Sequence, residues 1–125
     1  MTRFLTAEEL LQVAQTLPGD PACLDLGVLD AVCARVRARY MAQDVYGSLW
    51  LKAAAMLETI ILHEPLEERN QFFAWLAAET FLAANSVYMT YEPEAALALV
   101  MRAKHKGADV REIAAQLRAW TTPGT

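Results

Sequence analysis

The chain has 125 residues, of which 55% are hydrophobic and 21% charged, with a formal net charge of −4. That length supports a single domain over residues 1–125 whose core needs neither disulfide nor metal, and the composition excludes a disordered tail. No apolar run reaches the roughly 18 residues of a membrane span, and a net negative charge disfavours polyanions, so neither a membrane nor nucleic acid is expected as partner.

Along the chain, Thr6 followed by Glu9 makes a capping box and predicts a first helix over residues 7–16, with Leu10, Leu11, Val13 and Ala14 on its buried stripe. Its N-terminal stretch MTRFLTAEELL has no apolar core leading to a small-residue cleavage site, so no signal peptide is expected and the cytoplasm is the expected location. Pro18, Gly19 and Pro21 end the helix in a loop. A second helix fits residues 27–37, with Asp25 near its start complementing the helix dipole and Val28, Leu29, Val32 and Val36 on one face. Arg35, Arg37 and Arg39 fall near its C-terminal end, as a solvated face or a local basic patch. Cys23 and Cys33 have neither metal-ligand spacing nor a histidine partner and are ordinary thiols.

Residues 38–47, ARYMAQDVYG, lose the helical period and predict an irregular or β excursion, a candidate binding flap. SLWLKAAAMLETIILH follows, with Ser48 as N-cap and apolar residues spaced for burial on nearly all sides, which places it at the centre of a bundle. Pro65 stops it, and a further helix over residues 70–84 brings Phe72, Phe73, Trp75, Leu76 and Phe81 into the core. Asn85, tolerant of a left-handed C-terminal conformation, breaks that helix, and Pro93 suits the first turn of the next, over residues 95–105. Gly107 ends it, Asp109 with Glu112 caps a last helix over residues 110–120, and the tail TTPGT is expected to fray. The fold class is therefore all-α, a bundle of about six helices with one short irregular or β flap.

The polar loop between the two most apolar helices, in ILHEPLEERNQFFAWL, carries His63, Glu64, Glu67, Glu68, Arg69 and Asn70. A loop that feeds a buried helix N-terminus is a ready anion site, because free backbone N–H groups and the helix dipole converge there. Around it stand RFLTAEELL, DLGVLDAVCARVRA, QDVYGSLWLKAAAML, AWLAAETFLAANS and EIAAQLRAW. Their order and spacing resemble the Fic/Doc family nearly end to end, and the Doc (death on curing) toxins of toxin–antitoxin modules in particular.

The resemblance implies a helical core whose central loop and helix bear His-Pro-Phe-x-Asp-Gly-Asn-Lys-Arg or close variants. Aligned without gaps on KAAAML and AWLAAETFL, Pro65 and Asn70 meet the family's proline and asparagine, and Glu68 its metal-binding carboxylate. Leu66 replaces the packing phenylalanine. Glu64 stands where the catalytic histidine belongs, with His63 one position ahead, about 100° around a helix. Arg69 replaces the small residue, Gln71 the lysine and Phe72 the arginine. Three negative charges against one positive also give ATP repulsion rather than a cradle.

Two functions follow as expectations. In the first, the chain is Doc-like with a degenerate motif, carries no cofactor, and is kept for binding a protein such as a Phd-like antitoxin. In the second, it transfers phosphate or AMP from ATP to a protein hydroxyl. Glu64 or His63 would then be the base, Glu68 would hold Mg2+, and Asn70, Arg69 and Gln71 would bind the anion. His63, Glu64, Glu67 and Glu68 together are also a candidate cation cluster. The tyrosines Tyr40, Tyr46, Tyr88 and Tyr91 leave a homodimer open as a third possibility.

Overall fold

In the computed structural model, which describes residues 1–105 and 107–124, the Thr6 hydroxyl accepts from the Glu9 amide and the Glu9 carboxylate accepts from the Thr6 amide. This capping box starts α1 (Ala7–Gln15), and Thr16 closes it as C-cap. Asp25 accepts from the Gly27 amide to start α2 (Leu26–Val36), one residue earlier than the apolar period suggests. Residues 38–47 form a small hairpin, β1 (Arg39–Tyr40) paired antiparallel with β2 (Gln43–Asp44). Ser48 caps α3 (Leu49–His63) by accepting from the Leu51 amide. The chain ends with α4 (Asn70–Ala84), α5 (Pro93–His105) and α6 (Val110–Ala119). Pro93 occupies the first position of α5, where its missing N–H costs nothing. Asp109 caps α6 through the Glu112 amide.

Six helices and one two-stranded hairpin are thus the elements of the described residues, an all-α bundle. Helix α3 is the axis, packing against α2, α4, α5 and α6. Its alanines, Ala53, Ala54 and Ala55, let neighbouring helices approach closely, while Met56, Leu57, Ile60 and Ile61 fill the space between them. Helix α4 contributes Phe73 and Phe81, both fully buried, and truncating either to alanine would cost about 3–5 kcal/mol. No helix of the described residues is long and apolar enough to cross a membrane.

Several local expectations need correction. Asn85 does not adopt the left-handed conformation, with φ −107°. Ser86 does, at φ 62°, while the Asn85 side-chain amide accepts from the Arg3 N–H and donates to the carbonyls of Arg3 and Phe81. The tail is held as far as Thr122: Thr121 accepts from the Trp50 indole, and the Thr122 amide donates to Tyr88 O. Thr125 lies outside the described residues.

The three arginines do not share one environment: Arg37 and Arg39 are exposed and line one shallow pocket with Phe4 and Asp44, whereas Arg35 stands apart. Arg35 is half-buried, donating to Tyr46 Oη at 2.7 Å and Thr59 Oγ1 at 2.9 Å, with Glu58 Oε1 2.8 Å away. Burial opposes its charge, but the hydrogen bonds to Tyr46 and Glu58 outweigh this and raise its pKa. Arg37 lies over the Phe4 ring and Arg39 pairs with Asp44 across the hairpin.

Candidate functional site

The polar loop joins the C-terminus of α3 to the N-terminus of α4, and two left-handed residues bracket it. Glu64 at φ 42° is the C-cap of α3, its N–H donating to Ile60 O, and Pro65 prevents the helix from continuing. Arg69 at φ 64° is the N-cap of α4, a conformation that suits glycine, and no side chain caps the helix there. Between them Pro65 and Leu66 are buried, whereas Glu67 and Glu68 are exposed.

Asn70 holds the loop in shape. Its side chain, 5% exposed, accepts from the Leu66 amide at 2.9 Å and donates to Leu66 O at 2.9 Å. Both polar groups of the Asn70 side chain therefore go to a buried backbone that would otherwise lack partners. Any contribution of Asn70 to an anion then falls to its backbone N–H at the helix start.

A second segment lies across the loop. Leu24 and Asp25 amides donate to Pro65 O at 2.8 and 3.3 Å, the Glu67 amide donates to Ala22 O at 2.9 Å, and Cys23 bridges Leu66 in antiparallel fashion. The Glu67 carboxylate accepts from the Ala22 amide at 2.9 Å. Residues 22–25 thus cover the loop. The 38–47 hairpin, expected as the flap, sits elsewhere. Asp44 pairs with Lys52 near the start of α3, and the loop begins at its other end, about 18 Å away at 1.5 Å per residue.

Sequence reasoning missed Lys52, which is 3% exposed and donates to Asp44 at 2.9 Å and to Tyr46 O, anchoring the hairpin. The hydrogen bond from Lys52, reinforced by its charge, holds the Asp44 carboxyl below the usual carboxylate range. A single lysine in the otherwise apolar LWLKAAAML is the signal that marks it.

The expected site residues do not converge on one point. His63 Nδ1 lies 2.9 Å from Thr59 O, and since a carbonyl can only accept, that nitrogen carries the proton. The ring is turned back along α3. Glu64 Oε1 is 2.7 Å from Lys104 Nζ in the last turn of α5. Glu68 is largely exposed, its carboxylate 3.8 Å from Arg69 Nε. That Nε is buried and has no hydrogen-bond partner, and Gly19 packs near both side chains. Among the described residues, no three His, Cys, Asp or Glu side chains are placed to share a metal ion, so His63, Glu64, Glu67 and Glu68 do not form a cation cluster.

Gln71 and Phe72, in the first turn of α4, line an apolar cleft of about 290 Å³ between α4 and α5. Its floor is Trp75 and Tyr91, ring centroids 4.7 Å apart, backed by Trp120 at 5.9 Å from Trp75. The Trp75 indole donates to Tyr91 Oη at 3.0 Å, and Tyr91 donates to Glu79 at 2.6 Å. Burial, with that carboxylate, raises the Tyr91 pKa. Tyr91 is therefore an inner residue, as is Tyr46 against Arg35, while Tyr40 and Tyr88 are exposed.

No protein-family model matches the chain. It is similar to the protein named Toxin Doc of Mycolicibacterium smegmatis, with 34% identity over 120 residues, which covers 94% of this chain and 92% of that protein.

Proposed function

The chain belongs to the Doc toxin family, and from that premise we propose that its transferase motif is degenerate and that the protein is retained for binding another protein, an antitoxin of the Phd kind. The observation that carries this reading is the start of α4. There Gln71 and Phe72 line an apolar cleft where a phosphate-binding helix start calls for cations. Glu64, at the base position, is bound to Lys104, and the stem of Arg69 stands where backbone must meet phosphate closely. One exposed carboxylate, Glu68, is the remaining metal ligand. This set of side chains does not fit Mg2+ and ATP.

Calorimetric titration of the pure protein with ATP and Mg2+ tests the reading. No saturable heat is expected, and tight saturable binding would overturn it.

One observation favours the competing reading, a transfer of phosphate or AMP from ATP to a protein hydroxyl. Arg69 keeps a glycine-type backbone, and α4 starts without a side-chain cap, so the helix start keeps the geometry of an anion site. On that reading Glu64 or His63 is the base, Glu68 holds Mg2+ and the Asn70, Arg69 and Gln71 region meets the anion. Growth arrest on expression should then vanish in the Glu64→Ala, Glu68→Ala double variant. Arrest that persists in the double variant removes this reading.

A further inference from the structure

We propose that the cleft between α4 and α5 is the docking site for a segment of a partner protein that inserts one bulky apolar side chain and sets a lysine or arginine beside it. The inference rests on the reading that the start of α4 no longer holds ATP, and it identifies the chemistry of what binds there instead.

The cleft's volume of about 290 Å³ is at the lower edge of the roughly 300–1,000 Å³ typical of small-molecule sites, so it suits a side-chain anchor better than a cofactor. Both hydrogen-bond donors of its floor are already used. Trp75 donates to Tyr91 and Tyr91 donates to Glu79, so the aromatic faces are what an incoming group meets. Phe72 is 42% exposed at one wall, with Ala96 and Leu97 on the other. Burying such aromatic surface around a partner's side chain is how interface anchors gain most of their energy.

Charge then selects among apolar anchors. Glu94 lines the cleft and Glu92 precedes it on the same turn into α5, both exposed. Among the described residues neither joins an ion pair, and no lysine or arginine lines the cleft. A cation beside the apolar anchor would meet Glu94, whereas a carboxylate would be repelled. An amphipathic helix can present two such groups as neighbours on one face, one turn apart.

Nuclear magnetic resonance of the 15N-labelled full chain tests this with phenylbutylamine and phenylbutyrate, which share a phenyl group and differ in charge. The amine should shift the Trp75 indole N–H and the Ala96 and Leu97 amides, and should bind about two- to fivefold more tightly than the carboxylate. Glu94→Gln should remove that difference, and Phe72→Arg, at a part-exposed position, should abolish both sets of shifts while leaving the rest of the spectrum intact. A short amphipathic peptide with phenylalanine and arginine one turn apart should shift the same signals, and its Phe→Ala version should not. Absence of shifts at Trp75 with every probe, equal binding of amine and carboxylate, or a peptide indifferent to its phenylalanine would each overturn the proposal. So would shifts of these signals on dilution alone, which would give the cleft to a second copy of the chain. Saturable binding of ATP with Mg2+, registered at Asn70 and Gln71 but not at Trp75, would instead overturn the degenerate-motif reading.

Discussion

Replacing Asn70 by alanine separates a loop-shaping role from a ligand-binding one. The side chain is 5% exposed and makes two hydrogen bonds of 2.9 Å, both to Leu66, itself 2% exposed. Alanine leaves the Leu66 N–H and C=O buried without partners, at about 1–3 kcal/mol each, so a loss of about 2–6 kcal/mol is expected. Against a typical domain stability of about 5–15 kcal/mol this is a large fraction. With a urea m-value of about 2 kcal/mol/M, the midpoint should fall by about 1–3 M in a titration followed by far-ultraviolet circular dichroism. Gln71→Ala, one residue on and only partly buried, is the control and should move it little. If Asn70→Ala leaves the midpoint within the control's range, the loop does not depend on this clamp and the reasoning fails. Asn70→Asp refines the test. It keeps an acceptor for the Leu66 N–H but sets a carboxylate oxygen against Leu66 O, so the variant should recover stability in acid, where a protonated carboxyl can donate.

Three further outcomes follow from the packing. Arg35→Ala should destabilise by about 1–3 kcal/mol in the same titration, because it strands Tyr46, Thr59 and Glu58, whereas Arg37→Ala, which loses only a ring contact, should cost about 1 kcal/mol or less. Equal losses would contradict the placement of the two arginines. Because Lys52 lowers the Asp44 pKa in the folded state, the pair's contribution is complete above the unfolded value near 4 and is lost as pH falls through the lower folded value. Asp44→Asn should therefore flatten the acid limb of a urea-midpoint profile, and an unchanged limb would count against the Lys52 anchor. Arg69→Gly should raise stability by about 0.5 kcal/mol, as relief of the left-handed backbone exceeds the added chain entropy. A clear drop would mean that the Arg69 stem contributes more packing than its left-handed backbone costs.

Much of the fold was legible because it rests on local rules. The capping pairs Thr6 with Glu9 and Asp109 with Glu112, the N-cap Ser48, and the stops at Pro65 and Gly107 act over one turn, and the all-round apolar pattern of α3 can be satisfied only at a bundle axis. The expectation that Glu64, Arg69, Gln71 and Phe72 stand at the family's motif positions comes from the sequence alone, since an ungapped comparison needs only order and spacing. What it could not decide were the partners that distant residues bring. Lys104 reaches Glu64 from α5, Ala22 and Leu24 cross the motif loop, and Tyr91 meets Trp75 to floor a cleft. Lys52 shows the same division. Its place in an apolar helix is visible in the sequence, but whether its charge is offset depends on Asp44 and Tyr46, which only the return of the hairpin onto α3 supplies. Local propensity acts within a turn of helix, whereas the pairing of buried polar groups is set by chain segments that meet only once the core has formed.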